Sequence, residues 1–125
     1  MFNGNGQLFY HRSWWLIMKV DDEICEYYRK LVNIQSPSLK LNPPRDGAHI
    51  TVIAGKYEKP DASHEHLWGK FEGNIVEFSY HREILSDDRY FWLTVECPRI
   101  EEIRQELGLN PKIPIPWHLT IGNIL

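Results

Sequence analysis

The spacing of apolar residues changes several times along this chain, and each change marks an element. Trp14-Trp15-Leu16-Ile17-Met18-Lys19-Val20 is short, apolar and almost uncharged, the pattern of a buried strand. Asp21 or Asp22 then caps a helix from Glu23 to about Asn33, in which Ile24, Tyr27, Tyr28, Leu31 and Val32 recur at three and four. Its first turn is acidic and Arg29 and Lys30 come later, as the macrodipole prefers. Pro37, Pro43, Pro44 and Asp46-Gly47 make residues 35–47 a loop that leads to an apolar strand at 48–54. Residues 64–71 form at most a short helix. Residues 75–85 and 90–96, with Ser86-Asp87-Asp88-Arg89 between them, predict a hairpin. Pro98 opens a second amphipathic helix carrying Ile100, Ile103 and Leu107 and closed by Gly108. Pro111, Pro114 and Pro116 lead into a last strand. Residues 1–13, rich in Gly and Asn and then polar and aromatic, read as an N-terminal arm or an edge strand.

Laid end to end, the order is one unit used twice: strand, helix, proline loop, strand. This predicts one α+β domain over 14–125, in duplicated strand-helix-strand halves at about 14–74 and 75–125, forming two lobes around a central cleft. The 125 residues suit a single core.

The last strand of each unit carries the same triplet, His49-Ile50-Thr51 in the first and His118-Leu119-Thr120 in the second, each followed by a glycine, Gly55 and Gly122. Alternation puts His and Thr on one face of a strand and the residue between them on the other. Two such strands side by side would aim two imidazoles and two hydroxyls into one cleft, the equipment for acid/base chemistry on a phosphodiester. The chain has six His and three Thr, so composition alone rarely produces two such triplets in two apolar strands.

Charge and composition narrow the ligand. A net charge of −3 gives no field to concentrate long nucleic acid, so a small nucleotide is the more natural partner. No run approaches the roughly eighteen apolar residues of a membrane span, and the N-terminus lacks a basic region followed by an apolar one, so no membrane partner and a cytoplasmic location are expected. Cys25 and Cys97 have no Cys-x-x-Cys spacing and are read as reduced packing residues. Trp14, Trp15, Phe91 and Trp92 lie in predicted inner strands and are assigned to the core. Trp117 and Tyr57 flank the motifs, where either could stack on a base, and Tyr10-His11-Arg12 could close over a ligand. His64-Glu65-His66 has a spacing that would serve a metal on a strand. It reads as loop or helix without a third ligand nearby, so no metal is expected.

Paired His-x-Thr strands in a small repeated α+β domain resemble the 2H phosphoesterase superfamily, which includes the LigT-like RNA phosphodiesterases; the resemblance covers about residues 14–124. Within it, Pro44-Arg45-Asp46-Gly47-Ala48-His49-Ile50-Thr51 and the short length are most similar to small phage proteins of the Swiss Army Knife branch. The resemblance implies cleavage of a phosphodiester, often a cyclic one, with no cofactor. One of His49 and His118 would act as base and the other as acid, while Thr51 and Thr120 would hold nonbridging oxygens. Many members carry a basic residue shortly after the second motif, where this chain has Gly122-Asn123. Phosphate contacts are therefore expected from Lys56, Arg45 or Arg12. The expected substrate is a small nucleotide, a cyclic oligonucleotide or a short RNA end bearing a 2′,3′-cyclic phosphate; the alternative is a protein of the same fold that sequesters a nucleotide without turnover.

Overall fold

A computed structural model describes residues 1–124. Within them, one sheet holds β1 (Phe2–His11), β2 (Trp15–Val20), β3 (His49–Ile53), β4 (Ile75–Ser86), β5 (Tyr90–Glu96) and β6 (His118–Asn123), with helices α1 (Asp22–Gln35) and α2 (Pro98–Glu106). The strand order is β3-β2-β1-β4-β5-β6, every neighbouring pair antiparallel. The two end strands, β3 and β6, lie against each other, so the sheet is nearly closed. Residues 2–53 run strand, strand, helix, strand, and residues 75–123 repeat that order. The helices cross over: α1 packs on β6, from the second half, and α2 touches β3, from the first.

The largest departure from the sequence expectation is the N-terminal segment. It is neither an arm nor an edge strand but β1, central in the sheet between β2 and β4. Its glycines explain both the misreading and the placement. A Cβ on Gly6 would lie 2.2 Å from the Met18 side chain, and one on Gly4 would lie 2.7 Å from the Phe78 ring. Those residues let large neighbours lie across the strand, so glycines that resemble turn chemistry serve close packing. The β1–β2 connection is tight, with Ser13 and Trp14 at φ of 63° and 66°. Its tip rests against the chain after β3, where a Cβ on Gly55 would meet the Ser13 carbonyl oxygen at 1.8 Å.

Alternation gives the sheet two unlike faces. Leu8, Leu16, Met18, Ile50, Val52, Val76, Phe78, Leu93, Val95, Leu119 and Ile121 are buried on one face and join Cys25, Tyr28 and Val32 of α1 and Ile100 and Ile103 of α2 in a single core. Asp21 caps α1 by accepting from the Glu23 N–H. The buried face of α1 is centred on Cys25, Tyr28 and Val32, while Tyr27 stays exposed with its ring edge-on to Tyr28. The short helix expected at 64–71 reduces to one 3-10 turn, Glu65–Leu67.

Both cysteines are free and buried. Burial pushes the Cys25 thiol up to about 11, and its Sγ donates to the Thr120 carbonyl. At pH 8 only about one Cys25 in a thousand would be thiolate, the form that reacts. Iodoacetamide should therefore leave native protein unmodified at both cysteines over hours and label both in urea, as read by intact mass. Rapid labelling of Cys25 in the native fold would show that the α1–β6 contact opens.

Candidate active site

The register places both His-x-Thr pairs on the open face of the sheet. His49 stands opposite Lys19 and Thr51 opposite Ile17; Lys19 stands opposite Gln7, and Gln7 opposite Ile75. From the other end, His118 stands opposite Thr94 and Thr120 opposite Trp92, while Ser79 stands opposite Glu96. Following these partners across the sheet leaves His49, Thr51, His118 and Thr120 on the same side. Ile50 and Leu119, between them, are fully buried on the other. Because β3 and β6 are in contact, the two motifs belong to adjoining strands.

The two imidazoles are held alike. His49 Nδ1 lies 2.9 Å from the Gly47 carbonyl and His118 Nδ1 lies 3.2 Å from the Pro116 carbonyl, in each case the residue two before. A carbonyl only accepts, so Nδ1 carries the hydrogen and Nε2 of a neutral ring is left as acceptor. Both loops are built to present that carbonyl. Gly47 takes φ of 80°, which the Asp-Gly turn supplies at no steric cost, and Asp22 at the start of α1 accepts from the Ala48 N–H at 2.8 Å. On the other side, the proline loop delivers Pro116 directly before Trp117 and His118.

Each motif lines its own cavity. His49 and Thr51 share one of about 480 Å³ with His11, Trp15, Ile17, Lys19 and Asp46. His118 and Thr120 share one of about 570 Å³ with Leu85, Asp87, Tyr90, Trp92 and Thr94 among its walls. The first is the more cationic and the second the more aromatic. The Trp92 ring meets the His118 ring edge-on at 6.5 Å between centroids, and Asp87 is occupied in the β4–β5 turn, accepting from the Arg89 and Tyr90 N–H groups.

Several residues singled out in the sequence stand elsewhere. Trp117 is buried, with the Arg104 guanidinium 5.5 Å over its ring, so it packs behind His118. Tyr10 packs edge-on against Trp68 at 4.7 Å and its hydroxyl accepts from the Phe71 N–H, so burial raises its pKa and its ring faces away from His11. Arg12, Arg45, Lys56 and Tyr57 are exposed and outside the walls of both cavities; the Lys56 ammonium lies over the Tyr57 ring at 5.5 Å. Trp15 and Trp92, assigned to the core, are only half-buried and wall the two cavities. His64 is engaged within its own loop, its Nδ1 2.6 Å from Asp61 Oδ1. Hydrogen bonds from Ser63 and His64 hold the Asp61 carboxyl down to about 2. Among the described residues no three His, Cys, Asp or Glu side chains are grouped so as to hold an ion.

Lys19 is the functional candidate that sequence reasoning missed. Inside an apolar run it reads as an interruption of a buried strand. Strand alternation was the available signal, since it sets Lys19 apart from Met18 and Val20, and pairing with β3 brings it opposite His49.

Residues 16–124 match the family described as Swiss Army Knife, 2H phosphoesterase domain. The chain belongs to this family of phosphodiester-hydrolysing domains. No curated protein and no solved structure matches the chain, and no helix among the described residues is long and apolar enough to cross a membrane.

Proposed function

We propose that this protein is a metal-independent phosphodiesterase for a cyclic nucleotide or cyclic oligonucleotide, in which the two halves are copies of one unit and the two His-x-Thr motifs, each walling its own cavity on adjoining strands, act together on one phosphodiester held across them. The observation that carries the reading is the shared presentation of His49 and His118: same sheet face, adjoining strands, Nδ1 spent on the backbone two residues before and Nε2 left for substrate. One neutral imidazole takes a proton from water as its oxygen attacks phosphorus. The phosphorus bond to the ribose oxygen breaks, and the second imidazole, protonated, gives that oxygen its proton. Thr51 and Thr120 donate to the nonbridging oxygens as charge grows on them.

Charge and shape suggest how substrate lies. Lys19, opposite His49, offers the cation this family often carries after its second motif, so phosphate lies toward β2 and β3. Tyr90 and Trp92 beside His118 offer a stacking wall for a base, worth about 1 to 3 kcal/mol. Lys19→Met should raise KM about tenfold and flatten its dependence on salt, whereas Trp92→Ala should raise KM with the salt dependence intact; steady-state kinetics from 50 to 300 mM salt separate the two.

The acidic protein favours a small anionic substrate over long RNA. That class fits a phage protein that removes a host cyclic-oligonucleotide signal, and an RNA 2′,3′-cyclic phosphate end presents the same reacting group. The deciding experiment is incubation with cyclic mono-, di- and trinucleotides and an RNA bearing a 2′,3′-cyclic end, with and without EDTA. Turnover that survives EDTA is expected, since acid, base and phosphate donors all come from side chains. Tight binding with every ligand recovered intact would make sequestration the function.

A further inference from the structure

Each motif strand carries a β-bulge immediately after its threonine. In β3, Ile17 pairs with Thr51 and Leu16 with Ile53, which leaves Val52 as the extra residue. In β6, Trp92 pairs with Thr120 and Phe91 with Gly122, which leaves Ile121 extra. The bulge takes each strand off the open face directly after the threonine, since Val52 and Ile53 are both buried, as are Ile121 and Gly122. A bulged residue loses its place in the ladder, and a carbonyl stranded in a core needs another partner.

That partner is an arginine in both cases, supplied crosswise. Arg104 of α2, in the second half, donates from Nη1 to the Val52 carbonyl of the first half at 2.9 Å. Arg29 of α1, in the first half, donates from Nη1 to the Ile121 carbonyl of the second at 2.8 Å. Gly122 makes room for the latter, because a Cβ there would lie 3.2 Å from Arg29 Cδ and 2.8 Å from the Asn42 carbonyl oxygen.

We infer that Arg29 and Arg104 are reciprocal positioning residues: each fixes the bulge that aims the threonine, and with it the histidine, of the opposite half. The inference rests on the proposed phosphodiesterase reading for its kinetic arm alone. Arg104 also bears on the second motif through Trp117, the residue before His118, which lies under its guanidinium. Arg29 has the narrower reach, toward β6 only.

The test compares Arg29→Met, Arg29→Lys, Arg104→Met and a core control, Val76→Ala in β4, by two-dimensional NMR of the Thr51 and Thr120 methyls and the His49 and His118 ring nitrogens, together with kcat and KM. Arg29→Met is expected to move the Thr120 and His118 signals and leave those of Thr51 and His49 in place. Its kcat should fall about tenfold with KM within about threefold of wild type. Arg29→Lys, which can still make one bond to Ile121, should restore much of both. Arg104→Met should move all four sets of signals, and Val76→Ala should move none of them. The inference is overturned if Arg29→Met leaves the Thr120 and His118 signals at their wild-type positions, or shifts both motifs equally. Should the wild-type protein hydrolyse nothing in the panel, the phosphodiesterase reading falls while the NMR arm still decides the positioning role. Should Arg104→Met fail to fold, the Arg29 variants carry the decision.

Discussion

Alanine at His49 or at His118 is expected to lower turnover by about a hundredfold or more, because in the proposed mechanism each change removes one of two proton-transfer partners. The fold should survive either change. His118 is exposed and His49 half-buried, both on the open face, and the residue that anchors each strand is the buried Ile50 or Leu119 between His and Thr. Each imidazole makes a single intramolecular hydrogen bond, part-buried for His49 and exposed for His118, so its loss costs about 1 kcal/mol. Combining the two substitutions should slow the reaction much less than the product of the single effects, since a base without its acid has little left to lose. Single-turnover rates alongside equilibrium binding would separate the roles. Variants that bind substrate as wild type does and fail to cleave it support acid/base catalysis. Variants that cleave normally, or that lose only affinity, would remove His49 and His118 from the chemistry.

The largest effect on stability is expected at Arg104. Its side chain is 1% exposed and makes five contacts of different kinds: two bonds to the Glu58 carboxylate at 2.6 and 2.7 Å, one each to the Val52 and Asn110 carbonyls, and the face of Trp117. Arg104→Met removes the cation from a carboxylate that is only 26% exposed and leaves two carbonyls without their donor. A loss of about 3 kcal/mol is expected, lowering the melting temperature by about 10 °C in a chain of this size. Much of that loss comes from the carboxylate left behind. Adding Glu58→Gln to Arg104→Met should therefore restore part of the lost stability, whereas Glu58→Gln alone should cost about 1 to 2 kcal/mol. Urea denaturation of the four proteins closes the cycle, and additive effects would mean that the pair contributes no coupling of its own.

These two sites differ in how visible they are in the chain. His49, Thr51, His118 and Thr120 stand in repeated triplets, and strand alternation alone places each His with its Thr. The helices and the hairpin announce themselves through period, caps and turn residues, and the structure places them close to their expected bounds. Arg104, by contrast, reads as one more charged residue on an amphipathic helix, and its partners lie 6, 46 and 52 positions away. Arg29 looks like an ordinary response to the macrodipole, while its partner lies 92 positions away.

The sequence by itself determined the alternation that pairs each His with its Thr, the two amphipathic helices, the repeated order of elements and the family those features resemble. All of these rest on contacts between residues a few positions apart, which local periodicity records. Tertiary structure alone decided that residues 2–11 form the centre of the sheet, since glycines that signal turns locally are there to let Met18 and Phe78 lie across the strand. It also decided that Lys19, Trp15 and Trp92 face the motifs, that Trp117 and Tyr10 do not, and that an arginine from the helix of each half bonds a carbonyl in the motif strand of the other. The reason is common to these cases. Which face of a strand is open, and which arginine finds a stranded carbonyl, depends on how distant segments stack, and no local spacing carries that information.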